Sequence, residues 1–168
     1  MIWTKVSDEL LEILQPYSDW FFKQDLNWLE ELAKNNEKNT DTIENSCSDE
    51  YLKEIVDKDG RHIGYPEISY CYDLRRGGLP GEFQEKYQNL SKELCTWLGA
   101  RNEAVHVYYP KNGFMAWHNN WNAHGYNILL SYTKNGGGFF KYRDPITHEV
   151  VEMLDTPGWT SKVGYYGR

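Results

Sequence analysis

The sequence predicts an α+β fold, with helices backing one face of a barrel or jelly roll. Two observations carry this. Apolar residues in roughly the first 100 positions recur at helical spacing, whereas after Ala104 the chain breaks into short strand-like runs separated by turn residues. The composition agrees: aromatics make up 15% of the 168 residues, with 13 Tyr and 7 Trp, so core and clefts are to be built from amphipathic rings rather than left disordered. The length suits a single domain, 1–100 forming a mainly helical supporting layer and 101–168 the strands.

Taken in order, Ser7 is a plausible N-cap for a helix carrying Leu10, Leu11 and Leu14, and Pro16 is expected to end it. Leu26, Trp28, Leu29 and Leu32 predict a second helix to Lys34, followed by an Asn-, Lys- and Thr-rich surface loop over 35–45. A third helix fits 48–57, with Tyr51, Leu52 and Ile55 inward. Residues 68–72 read as one strand, leading to the turn-rich Arg75-Arg76-Gly77-Gly78-Leu79-Pro80-Gly81, a loop over a cleft or simply a turn. The strongest helical pattern spans 82–98: Phe83, Tyr87, Leu90, Leu94 and Trp97 repeat at three and four residues, and Gly99 stands where a C-terminal cap belongs. Strands are expected at 104–109, 114–119, 126–133, 138–143, 150–154 and 162–166, with turns at Asp144-Pro145-Ile146-Thr147-His148 and Thr156-Pro157-Gly158. Gly136-Gly137-Gly138 lacks the strand-to-helix context of a phosphate loop and reads as a turn entering a strand.

Several function classes are disfavoured. The net charge of −7 argues against a nucleic-acid surface, which needs clustered Lys and Arg. No segment approaches the ~20 apolar residues of a membrane span, and the N-terminus lacks a signal-peptide apolar region, so a cytoplasmic protein is expected (host cytoplasm if of phage origin). Mean hydropathy is −0.75. Cys47, Cys71 and Cys95 form no CxxC pair, which disfavours a disulfide framework or a cysteine zinc site; Cys95 is expected as a buried reduced thiol.

The most informative stretch is Trp117-His118-Asn119-Asn120 at the end of a predicted strand. Side chains two apart on a strand project to one face, so His118 and Asn120 are placed to ligate one metal ion. By itself His118 reads rather as a structural histidine, and Asn120 as a side chain capping a turn before Trp121. His106, flanked by Val105 and Val107, reads as a polar residue on the outer face of its strand. Lys141 and Arg143 share a strand face, either as carboxylate-binding bases or as solvated charge, and Tyr109 offers either a hydroxyl donor or core packing.

The stretch 109–159 resembles iron(II)/2-oxoglutarate-dependent oxygenases of the prolyl-4-hydroxylase type, most in the manner of small bacteriophage and marine-microbial members. The resemblance rests on Tyr109-Pro110-Lys111-Asn112-Gly113, Trp117-His118-Asn119-Asn120, Gly125-Tyr126, Gly137-Gly138-Phe139-Phe140-Lys141-Tyr142-Arg143-Asp144-Pro145 and Asp155-Thr156-Pro157-Gly158-Trp159. It implies a double-stranded β-helix (jelly roll, cupin-like), with Fe(II) and 2-oxoglutarate as cofactors and His118 as the first iron ligand. Asn120 would be the second, where the family carries Asp or Glu. The 2-oxoglutarate carboxylate would be met by Lys141, Arg143 or Tyr109. The implied substrate is a prolyl or other peptide side chain. No distal His is found: His124 follows His118 too closely, and His148 sits in a hairpin turn. The strands that carry that ligand in the family lie beyond the match. The sequence is therefore a piece of a longer product, or the protein is degenerate, or a partner chain closes the open sheet edge. The alternative to an oxygenase is a non-catalytic jelly-roll module, acting as a binding protein or a phage structural or accessory protein.

Overall fold

The computed structural model describes residues 1–57, 66–119 and 125–166. In chain order, β1 (Ile2–Thr4) is followed by α1 (Asp8–Phe21), α2 (Asn27–Lys34), α3 (Ile43–Ser46) and α4 (Asp49–Asp57), then β2 (Ser69–Tyr70), β3 (Tyr72–Asp73) and α5 (Gly81–Leu98). The remaining elements are strands: β4 (Val107–Tyr108), β5 (Phe114–Met115), β6 (Gly125–Thr133), β7 (Phe139–Arg143), β8 (Val150–Leu154) and β9 (Gly158–Tyr166). The fold is α+β. Among the described residues the strands form one three-stranded sheet and three two-stranded pairs and close no barrel. None of the described helices is long and apolar enough to cross a membrane.

α1 begins at its predicted cap, Ser7, and α4 at a serine as well. The Leu10 N–H donates to Ser7 Oγ at 3.3 Å, and the Tyr51 N–H to Ser48 Oγ at 3.0 Å. Gly99 ends α5 in the left-handed region at φ 61°, a conformation that glycine adopts without a Cβ penalty, and the Ala100 N–H returns to the Cys95 carbonyl. Pro16 does not end α1, which continues five residues further to Phe21. A proline within a helix costs about 3 kcal/mol. What outweighs it is the next turn: Phe21 is buried with Leu29, Leu74, Leu79 and Phe83, and Tyr17 and Trp20 pack against that cluster. The Trp20 and Phe83 rings lie 4.9 Å apart. On α5 Phe83 and Leu90 are buried as predicted, but Trp97 is 47% exposed, because the last turn overhangs the packed region.

The chain packs as two compact units, Ile13–Asn119 and Met1–Glu12 with Asn120–Arg168. In the first, the predicted 68–72 strand is two short strands divided at Cys71. Ser69 and Tyr70 pair with Met115 and Phe114, whereas Tyr72 and Asp73 pair with Tyr108 and Val107. Between β4 and β5 the chain turns at Pro110–Gly113. The Gly113 N–H donates to the Pro110 carbonyl, and a Cβ on Gly113 would fall 2.8 Å from the Pro110 ring and from the Tyr70 carbonyl. Only glycine fits. Arg75 is gathered onto Asp73, with its Nε 3.0 Å from Oδ1 and its terminal nitrogen 2.7 Å from Oδ2, so the Arg75–Gly78 stretch is a tied turn.

In the second unit β9 is the central strand, flanked by β1 and β6. It starts at Gly158, earlier than the expected 162, because Trp159, Thr160 and Ser161 already pair with Tyr132, Ser131 and Leu130. β7 and β8 form a hairpin whose turn is held by Asp144, Oδ1 of which accepts from the Ile146 and Thr147 N–H groups. The Gly136–Gly138 turn is closed by Asp155, whose N–H donates to the Gly138 carbonyl at 2.7 Å.

Candidate functional site

His118 follows β5 on a segment pinned at several points. The Ala116 N–H donates to the Ile68 carbonyl at 3.0 Å, and the Trp117 indole N–H to the Ser48 carbonyl at 3.0 Å. The His118 Nδ1 lies 2.8 Å from the Ala116 carbonyl. A carbonyl only accepts, so Nδ1 carries the proton and the Nε2 lone pair is left over; the tautomer follows from the bonding network. A carbonyl on the far nitrogen is also what orients a metal-bound histidine. Burial pushes the His118 pKa down and the Lys38 charge adds to it, against an opposing effect from the Ala116 bond, which favours a neutral ring near pH 7. The residue as a whole retains more than a third of its surface, so this desolvation is partial.

Asn120, the other expected ligand, lies outside the described residues, as does His124. His148 is an exposed hairpin residue at φ 63°. Among the described residues no group of three or more His, Cys, Asp or Glu side chains is assembled to hold a metal. His118 thus presents one ring nitrogen whose lone pair is left over, outside any such group.

The predicted cosubstrate residues are engaged locally. Lys141 faces Glu152 across the β7–β8 pair, 3.4 Å from its carboxylate, and lies over the Phe139 ring at 5.4 Å. Arg143 Nε donates to the His148 carbonyl at 3.4 Å. Both side chains share a strand face, as their spacing predicts, and both brace the hairpin. Tyr109 is 46% exposed, yet its hydroxyl titrates well above the usual range, first through burial and then through the nearby Cys71 and Cys47 thiols. The exposure therefore belongs to the ring and backbone and the burial to the hydroxyl, which is turned into the protein. Burial also pushes the Cys71 thiol up to about 11.

Two polar clusters escaped the sequence. Lys162, expected only as a strand residue, is the most enclosed large side chain of the sheet unit at 1% exposure. It is ion-paired to Asp155, whose Oδ1 also accepts from Thr160 Oγ1 at 2.7 Å, and it lies over the Trp3 ring at 4.7 Å. The second cluster corrects the outward reading of His106. The Tyr17 hydroxyl lies 3.1 Å from His106 Nε2, His106 Nδ1 lies 2.8 Å from Glu103 Oε1, and the Tyr87 ring stands edge-on at 4.7 Å. A carboxylate on Nδ1 fixes the proton there and leaves Nε2 to accept from Tyr17. Cys95 is also corrected: it is half-exposed rather than buried, beside a surface cavity that Glu103 and Tyr87 share. The only sequence signal was the three-residue spacing from Glu103 to His106, which is too common to single out.

No family model, no curated protein and no solved structure matches the chain.

Proposed function

We propose that this chain is an iron(II)/2-oxoglutarate-dependent oxygenase-type protein acting on a prolyl or other peptide side chain, with His118 as an iron ligand on a double-stranded β-helix. The observation that supports it is the His118 ring: Nδ1 is committed to the Ala116 carbonyl, and the pKa is lowered, so a neutral ring with an Nε2 lone pair is favoured. When bound, iron and 2-oxoglutarate would supply the oxidising chemistry. The protein's part would be to orient the ligand nitrogen and hold it deprotonated. Asn120 would add a neutral oxygen donor and hence a weaker site than a carboxylate. For Lys141 to meet the cosubstrate it would have to exchange its contact with Glu152.

A second reading, a non-catalytic binding or structural module with the same strand framework, is favoured by the hairpin contacts of Lys141 and Arg143. One titration separates the two. Mn(II), as a redox-inert stand-in, is added to the protein with 2-oxoglutarate and followed by electron paramagnetic resonance, alongside His118→Ala. The oxygenase reading expects saturable binding that 2-oxoglutarate strengthens and His118→Ala abolishes. No binding by the unaltered protein, or binding indifferent to His118→Ala, removes it.

A further inference from the structure

We propose that the cavity between α5 and the 102–103 segment binds a small molecule bearing a single ammonium or guanidinium group, seated on Glu103. The cavity has a volume of about 330 Å³ and is lined on α5 by Tyr87, Ser91, Lys92 and Cys95, and across from it by Asn102 and Glu103. That volume lies within the range of small-ligand sites, ~300–1,000 Å³. This inference is independent of any iron site.

The argument starts from one atom. Glu103 is anchored through Oε1, which accepts from His106 Nδ1 at 2.8 Å, and His106 is itself fixed by the Tyr17 hydroxyl. Glu103 Oε2 is enclosed and has no hydrogen-bond partner among the described residues. An enclosed acceptor without a donor is destabilised by about 1–3 kcal/mol, and by more when it is charged. The described structure does not relieve this. The Tyr17 and Tyr87 hydroxyls, both close enough to feel Glu103, stay protonated and neutral, their pKa values pushed up first by burial and then by its charge, so neither supplies a counter-charge. The side chain still exposes a fifth of its surface and lines the cavity. The last torsion of a glutamate is soft, so a rotation that loosens the Oε1–His106 bond in part presents Oε2 to a donor placed in the cavity. A cation that donates hydrogen bonds answers both the charge and the orphaned acceptor.

The rest of the lining narrows the class. The Tyr87 ring supplies a flat apolar wall suited to a cation or its adjoining methylenes. Lys92, exposed on α5 and lining the same cavity, disfavours a second positive charge and tolerates a carboxylate at the ligand's other end. A singly charged amine or a guanidino acid therefore fits better than a polyamine.

The test uses the full chain with n-butylammonium and 4-guanidinobutyrate, each bearing one cationic group, as probes and butyrate as the charge-reversed control, followed by nuclear magnetic resonance shifts of the 87–103 amides. Both cationic probes are expected to bind saturably, with butyrate inert. Glu103→Gln should weaken binding at least tenfold, and Cys95→Phe, which fills the cavity from α5 without touching the Glu103–His106 bond, should abolish it. Should Glu103→Gln fail to fold, Cys95→Phe decides alone: loss of binding supports the site and retained binding overturns it. Absence of saturable binding by either cation, equal binding of butyrate, or unchanged affinity in folded Glu103→Gln also overturns it.

Discussion

Replacing Asp155 with Asn should be among the most damaging single changes in the sheet unit. Lys162 is 1% exposed, and the Asp155 side chain that neutralises it is 7% exposed, so neither charge is shared with bulk water. Asparagine keeps the shape and can still accept from Thr160, but it leaves the ammonium enclosed without a counter-charge. Removing one partner of a buried pair costs about 3–5 kcal/mol, because the survivor's desolvation is no longer offset. The Trp3 face returns only part of this, about 0.5–2 kcal/mol for a desolvated cation–π contact. With a urea dependence of about 2 kcal/mol per molar, a loss of ~4 kcal/mol moves the unfolding midpoint down by roughly 2 M. Trp3 and Trp159 sit on β1 and β9 and report the transition by fluorescence. The double replacement Asp155→Leu with Lys162→Met removes both charges and should recover most of the loss, since apolar residues of similar volume replace buried pairs at little or no penalty. High salt should not mimic Asp155→Asn, because enclosed charges are poorly screened. A midpoint shift under ~0.5 M for Asp155→Asn, or a double variant no better than the single, would refute the reasoning.

Two further outcomes follow from the helical unit. Gly113→Ala should lower its stability by about 1–3 kcal/mol in the same assay, since the added Cβ must displace the Pro110 ring or the Tyr70 carbonyl from 2.8 Å; an unchanged midpoint would show that the turn yields freely. For His118 the folded-state pKa lies below its unfolded value near 6.5, so the unfolded chain binds the extra proton first. The His118 contribution is therefore complete above about pH 6.5 and is lost as the pH falls towards the folded pKa. A ring-proton titration should place His118 below the ordinary histidine value near 6.5, and His118→Gln should flatten the acid side of the stability profile; a His118 titration at or above that value contradicts the desolvated ring.

Local structure was largely legible, because it depends on short-range sterics and hydrogen bonds. Ser7 and Gly99 cap the helices they were expected to cap, and Asp144 holds its hairpin. Where tertiary packing outbids local preference, the reading failed. Pro16 is carried through α1 by the burial of Phe21 one turn on, and Cys71 divides a continuous-looking strand because its two halves take different partners. The β1 segment, three residues long, gains its strand pairing only from β9, some 160 positions away. The expected metal pair is only half placed, since Asn120 lies outside the described residues.

By itself, then, the sequence determined the α+β class, the helix ends at Ser7 and Gly99, the turns and the motif around His118, all written in neighbours a few residues apart. Only the tertiary structure decided which charges are enclosed and what they meet. Tyr17 reaches His106 across 89 positions, and Lys162 is sealed against Asp155 and Trp3 at the centre of a sheet. The physical reason is that such encounters are set by strand register and helix packing. The same lysine or glutamate that would be ordinary solvated surface becomes, once water is excluded, a group whose partner must be supplied.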